Sequence, residues 1–311
     1  MSGSPACFIL DVGHGNAAVV TGSEGVVIVD GGAGGGLLNF LDRCGITKIR
    51  SVLVSHADAD HISGLIAILS RCLSDPGFEI ETIHINPDPR KSDLFTDLIG
   101  ILYKLDNNKR SKWITSIGTD SPEPMDLGNC LVEVIAPSKI FRARGIGGKR
   151  DEDRKSTANS LSAVVRVTQN GSPWVLLPGD LDRTGMKFLV EDGQVAKAPV
   201  IVFPHHGGNG GSDTETVELV EEIRRECEHH SVIFSARNGD PRFPNRLVAE
   251  SLISCSPIPN VYCIGNSPTF EEVSKSVEMV LHNMTGTLVI DGLDESGVPS
   301  ISRLASKSEV L

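Results

Sequence analysis

Residues 56–61 of this chain read HADADH, two imidazoles and two carboxylates within six residues, directly after the apolar run SVLVS at 51–55. Packed together without a partner, His56, Asp58, Asp60 and His61 would repel or titrate one another. A divalent cation resolves the conflict. Neutral imidazole nitrogen with anionic carboxylate oxygen is a donor set for Zn²⁺, Mn²⁺ or Fe²⁺ rather than Ca²⁺. At the end of a strand, side chains i, i+2 and i+4 point the same way. His61 then opens a helix and can reach back toward a second ion. A solvated acidic turn that happens to carry two histidines is the competing explanation, and the recurrence of the pattern elsewhere argues against it.

Three further motifs, the last split over two segments, repeat the arrangement of an apolar strand ending in an ionisable group close to glycine. WVLLPGD ends in Asp180, a carboxylate suited to bridging two cations, with helix capping as its competing role. PVIVFPHHGGNGGS carries His205 and His206 after a buried run and before glycines that admit close approach. Adjacent side chains diverge, so one histidine is expected as a ligand and the other behind it or in proton transfer. DVGHGNA and VIVDGG place Asp11 and Asp30 at strand ends.

The elements that must position these groups alternate in type. Strands are expected at the runs ACFILDV, AAVVT, GVVIVD and SVLVS, and at 81–85, 131–136, 161–168, 173–178, 199–204, 231–235, 260–264 and 286–291. Helical spacing appears at 61–73, 93–105, 214–228 and 245–254. This alternation predicts a layered α/β sandwich rather than a bundle or barrel. With no internal repeat or compositional break, residues 1–311 are expected to form one domain. The charged, glycine-rich stretch 141–157 reads as a long mobile surface loop.

A net charge of −11 gives no global attraction to nucleic acid or anionic membrane. Any phosphate must therefore be held by a local basic patch or by metal ions. Seven scattered cysteines without C-x-x-C suggest a reduced, cytoplasmic setting. The start lacks a basic signal-peptide region, and no run approaches the ~20 apolar residues of a membrane helix.

Taken in order, DVGHGNA, VIVDGG, SHADADHISG, ANSLSAVVRV, LLPGDLD and PHHGG resemble the metallo-β-lactamase superfamily, most closely the soluble domain of the ComEC DNA-uptake channel and its stand-alone relatives. The resemblance spans about residues 6–292 and implies a four-layer αββα sandwich with metals at one edge of the sheets. Carried over, it puts His56 and Asp58 on a first metal and Asp60 and His61 on a second, with Asp180 bridging and His205 completing the second site. Two divalent transition-metal ions, Zn or Mn, are implied. Where that branch has a late Gly-His-Pro, this chain has SARNGDPRFPNR, with Phe243 in place of the histidine. No clear histidine stands in the middle region either, since His84 comes too early and lies in a strand. The first metal is accordingly expected to be weakly held. The channel's membrane segments are missing.

Such a centre can attack phosphodiesters, esters or lactams, so the fold by itself does not choose. Three features favour phosphate: the basic residues Arg142, Arg144, Lys149, Arg150, Arg154 and Lys155 before ANSLS; the backbone N–H groups and Ser212 of PHHGGNGGS; and Arg237, Asn238 and Arg242 in the late motif. Asp151, Glu152 and Asp153 among the basic residues support the blander reading of a solvated loop. The favoured expectation is a phosphodiesterase or nuclease acting on nucleic acid or a nucleotide through metal-activated water. Asp60, Asp180 and His206 are its catalytic residues, and Asn159, Ser212, Arg237, Asn238, Lys149 and Arg150 its substrate contacts. A hydrolase of a small ester, lactone or β-lactam, and a degenerate metal-binding regulatory module, are the alternatives. Stand-alone relatives often work beside other proteins, which leaves room for a protein partner or a homo-oligomer.

Overall fold

In the computed structural model, residues 4–149, 155–254, 256–276, 281–295 and 297–304 are described. Two eight-stranded sheets face each other. The first contains β1 (Ala6–Ile9), β2 (Ala18–Gly22), β3 (Gly25–Val29), β4 (Lys48–Val54), β5 (Glu79–Ile85) and β6 (Lys112–Ile114). The second contains β7 (Met125–Asp126), β8 (Leu131–Ala136), β9 (Val164–Gln169), β10 (Ser172–Leu177), β11 (Val200–Val202), β12 (Ser231–Ser235), β13 (Asn260–Ile264) and β14 (Leu281–Met284). The chain then returns to the first sheet as β15 (Leu288–Leu293) and β16 (Pro299–Arg303), which pair beside β1. Both sheets are mixed. The run β3–β4–β5–β6 is parallel, as is β10–β11–β12–β13–β14, and the remaining pairs are antiparallel.

Strand alternation sorts the core into three layers. In β3, Val26 and Ile28 face the helices, while Val27 and Val29 face the opposite sheet. Helices α1 (Gly36–Cys44), α2 (Ala59–Ser74) and α3 (Asp93–Asn107) cover the first sheet through Leu37, Leu41, Leu65, Leu69, Leu98 and Leu102. Beyond the short α4 (Lys139–Arg144), helices α5 (Arg183–Glu191), α6 (Asp213–Cys227), α7 (Arg246–Ile253) and α8 (Pro268–Val273) cover the second sheet. Each fully buried Leu, Ile or Val contributes roughly 1.5–3 kcal/mol. The result is the expected four-layer αββα sandwich. Among the described residues no helix is long and apolar enough to cross a membrane.

The structure departs from the sequence expectations in several places, among them the unanticipated α8, β6, β7, β14 and β16. Helices α1 and α5 form where only glycine-led or short segments stood; in α1, Leu37, Phe40 and Leu41 recur at i, i+3 and i+4 and are buried. Part of the stretch 141–157 is helical, residues Phe141 to Arg144 forming the end of α4. Phe141 within α4 is buried and stacks on Phe188 at 3.6 Å between centroids, and Ser138 caps the helix by accepting from the Phe141 N–H. Lys149 and Lys155 pair as an isolated β-bridge, while 150–154, including Arg150 and Arg154, lie outside the described residues. Finally, Asn159–Leu161 is a 3-10 turn, so β9 starts only at Val164.

Candidate metal centre

The four motifs meet at one edge of the sandwich, beyond the carboxyl ends of β3, β4, β10 and β11, where parallel strands of α/β sheets expose their functional loops. Asp30 follows β3, His56–His61 follow β4, Asp180 follows β10, and His205 and His206 follow β11. A backbone bond from the Ala163 N–H to the Ser55 carbonyl (2.9 Å) ties the two sheets together at this edge. Two glycines permit the closeness. A Cβ on Gly15 would stand 2.1 Å from the Asp60 carbonyl oxygen, and one on Gly179 (φ 57°) would stand 2.3 Å from Ser162 Oγ. Asp30, His205 and His206 all have positive φ (60°, 52° and 55°), backbone strain of the kind concentrated at functional sites.

Asp180 is almost wholly buried, and its two oxygens face different partners. Oδ1 lies 3.0 Å from His61 Nε2 and 3.7 Å from His206 Nε2. Oδ2 lies 3.1 Å from His205 Nδ1 and 3.7 Å from His56 Nε2. On the Oδ1 side, His206 Nε2 is also 3.1 Å from Asp60 Oδ2, and the ligand atoms of Asp60, His61, Asp180 and His206 lie within 4.8 Å of one another. On the Oδ2 side, Asp58 Oδ2 lies 3.6 Å from His56 Nε2. We call the Oδ2 side the first position and the Oδ1 side the second.

Each of three imidazoles is tethered through Nδ1, leaving Nε2 for the centre. His61 Nδ1 donates to Asp30 Oδ2 at 2.8 Å, and Asp30 is itself held by the Ser55 N–H (2.7 Å) and hydroxyl (2.6 Å). His206 Nδ1 donates to the Ser235 carbonyl at 2.8 Å. His56 Nδ1 is 3.1 Å from Ser55 Oγ. Histidine ligands are oriented in this way in metal sites. His56 Nε2, His61 Nε2 and Asp180 Oδ1 are buried without a well-aligned hydrogen bond, although the last two face each other at 3.0 Å. Such atoms are costly unless something satisfies them, and a divalent cation would satisfy all three. The donor set, imidazole nitrogen plus carboxylate oxygen, therefore fits.

The electrostatics agree. Burial by itself would lower the His61 pKa, but the charges of Asp180 and Asp30 raise it well above the ordinary range. The hydrogen bond to Asp180 raises that of His205. Burial works to raise the carboxyl of Asp60, yet His206 and His61 hold it at about 2. Asp180 is lowered well below the carboxylate range despite its burial, chiefly by His61 and His205. The cluster is an anionic pocket that demands positive charge.

Residues 10–74 match the family described as the metallo-beta-lactamase superfamily. The matched stretch runs from the DVGHGNA turn through α2 and includes His56, Asp58, Asp60 and His61. Among solved structures, Tm1679, a metal-dependent hydrolase of the beta-lactamase superfamily, is similar over 93% of this chain and 100% of its own, at 14% identity and a TM-score of 0.52. The chain has the metallo-beta-lactamase fold. Weaker likenesses of that fold include a diphosphatase from the PhnP family (11% identity, 92% and 98% coverage, TM-score 0.47) and unliganded yeast PDE1 (11%, 93% and 100%, 0.49). No curated protein sequence matches the chain.

Within this metallo-beta-lactamase fold, the histidine pair divides differently from the sequence expectation. His206, anticipated in proton transfer, stands with Asp60, His61 and Asp180, whereas His205, anticipated at the second position, lies on the Oδ2 side with His56. The left-handed backbone of both residues decides which ring turns which way. The capping role weighed for Asp180 is filled by Asp182, whose side chain accepts from the Gly185 N–H. Of the anticipated substrate contacts, Asn159 reaches the site, its Nδ2 3.1 Å from His205 Nδ1. Ser212 is the N-cap of α6 in a capping box with Glu215, and Asn238 accepts from the Asn266 N–H. Arg237 is exposed after β12, and Arg242 pairs with Asp240. His84 is buried in β5, with Nδ1 3.1 Å from the Ser116 carbonyl.

Three residues at the centre had no assigned role. Asp30 was visible only as a strand-end acid. His14 stands 3.5 Å from Asp60 Oδ2, its ring 4.5 Å from that of His206 and 4.6 Å from that of Phe243. Arg90 donates to Asp58 at 2.6 Å. The only sequence signal for His14 was its place in DVGHGNA; for Arg90 there was none.

Proposed function

We propose that the protein is a metal-dependent hydrolase that holds two divalent transition-metal ions, Zn²⁺ or Mn²⁺, and cleaves phosphodiesters of nucleic acid or nucleotides, in the manner of the ComEC-like branch its motifs resemble. One observation carries this reading: the buried carboxylate of Asp180 presents one oxygen to each of two donor sets. His56, Asp58 and His205 would hold an ion beside Oδ2, and Asp60, His61 and His206 one beside Oδ1. When bound, such ions act as Lewis acids and bring the pKa of water toward neutrality.

The chain's own residues supply the rest. Asp30 and the Ser235 carbonyl hold the rings of His61 and His206 in the tautomer that turns Nε2 inward. His14 stands beside Asp60, with the ring of Phe243 packed against its own. Asn159 and Arg90 stand at the rim with donors of the kind that suit phosphate oxygens. Those donors, with Lys149 and Lys155 paired in the bridge that precedes Asn159 along the chain, favour a phosphodiester over a neutral ester.

The test is metal content together with turnover of a chromogenic phosphodiester, followed by a panel of DNA, RNA and cyclic nucleotides in Mn²⁺ and in Zn²⁺. Bound metal with phosphodiester cleavage is expected. Bound metal with turnover of carboxylic esters or lactams alone would replace the substrate class. Absence of metal uptake would remove the hydrolase reading.

A further inference from the structure

Arg90 lies in the loop between β5 and α3, in the unremarkable stretch NPDPRKS. Its Nη2 donates to Asp58 Oδ1 at 2.6 Å and to Asp88 Oδ2 at 2.9 Å. Asp88 is the fixed end of this clamp. Its side chain is only 7% exposed, against 38% for Asp58, and its Oδ1 also accepts from the Arg90 backbone N–H at 2.8 Å. Arg90 Nε is buried without a hydrogen-bond partner, while the side chain as a whole keeps 23% of its surface exposed.

The consequence falls on Asp58. This residue holds the N-cap position of α2, where an aspartate ordinarily accepts from the first turn, yet its side chain makes no capping bond. Its carboxylate is divided instead between a guanidinium and the first metal position. Asp60, its counterpart at the second position, has His14 and His206 beside it and, among the described residues, no arginine ion pair. Correspondingly, the second position brings four ligand atoms within 4.8 Å of one another, and the described residues of the first position form no such group.

We propose that Arg90 is a resident counter-ion on Asp58 that keeps the first metal position weak until a phosphate group draws the guanidinium away. A cation already paired with one carboxylate oxygen opposes a dication seeking the other. An incoming phosphate offers Arg90 a fork-to-oxygen geometry that arginine is built to use. Releasing Asp58 then strengthens the first position. Phosphate binding and ion binding reinforce each other by the same factor, as linkage requires. This inference rests on the metal-centre reading above and concerns only how that centre fills.

The test titrates the metal-free protein, Arg90→Gln and Asp88→Asn with Mn²⁺ by calorimetry, with and without inorganic phosphate. Circular dichroism checks that each variant is folded. The wild type is expected to take one ion tightly and one weakly. Arg90→Gln should tighten the weaker ion by at least about tenfold, the scale of a unit charge a few ångströms from a dication even under full water screening. Asp88→Asn leaves Arg90 more fully to Asp58 and should weaken the same ion, so the sign can be read even if Arg90→Gln fails to fold. Phosphate should tighten the weaker ion more in the wild type than in Arg90→Gln. Equal weak-ion affinity in the wild type and in each folded variant overturns the role of Arg90 while leaving the metal centre standing. Failure of all three proteins to bind any ion overturns both.

Discussion

At the scale of single residues, Asp180 is where two donor sets meet, and its charge rather than its shape is what they share. Asp180→Asn preserves the volume but removes the charge, so phosphodiester turnover should fall to background while circular dichroism stays unchanged. Near-wild-type rates would reduce Asp180 to a structural group. The division of the histidine pair leads to a second expectation. His206→Ala should remove the tighter ion and His205→Ala the weaker one, read as ions per chain by elemental analysis; the reverse pattern would restore the assignment drawn from sequence. Asp30 touches no expected substrate position, yet it holds His61 through a 2.8 Å bond. Oriented ligands of this kind lose roughly 10–100-fold in metal affinity when their carboxylate partner is removed. Asp30→Ala should do so at the second position, and an unchanged Mn²⁺ titration would count against it.

At the scale of elements, the centre depends on backbones that cross where side chains would not fit. The Gly179 Cα lies so close to Ser162 and Ser55 that a methyl group would meet Ser162 Oγ at 2.3 Å and Ser55 Cβ at 2.7 Å. Gly179→Ala combines that overlap with a left-handed backbone, so a loss of about 1–3 kcal/mol is expected from chemical denaturation. A smaller change would mean that the two strand ends can separate without cost. On the basic segment, replacing Lys149 and Lys155 by Ser, together with Arg150 and Arg154, should raise KM and flatten the salt dependence of a polyanionic substrate, because fewer counterions are released on binding. An unaltered salt slope would assign these charges to plain solvated surface.

At the scale of the whole molecule, Trp174 joins the two halves. It is fully buried between the sheets, and its indole N–H on β10 donates 3.0 Å to the Asp291 carbonyl on β15 of the opposite sheet. Trp174→Ala should cost about 3–5 kcal/mol, measured by denaturant titration. Its effect should also reach the metal centre, since residues from both sheets build that centre.

How much of this was legible beforehand follows from the range over which each cause acts. The layered architecture was readable because strand alternation and helical spacing are local, and each apolar face needs only some partner layer. His56, Asp58, Asp60, His61 and Asp180 were readable as a candidate centre because a strand end beside glycine positions its side chain within a few residues. Helix α1 was missed because its short apolar stripe acquires meaning only against the sheet it covers. Which of His205 and His206 faces which oxygen of Asp180 depends on the left-handed backbone of both residues, a feature that no local sequence pattern announces. The grip of Asp30 on His61 spans 31 residues, and that of Arg90 on Asp58 spans 32. No spacing rule reaches so far. The sequence alone determined which side chains could bind a cation and on which strand ends they would stand. Only the tertiary structure decided how they divide between the two oxygens of one carboxylate, and which arginine competes for them, because those relations exist only where separate strands are folded against each other.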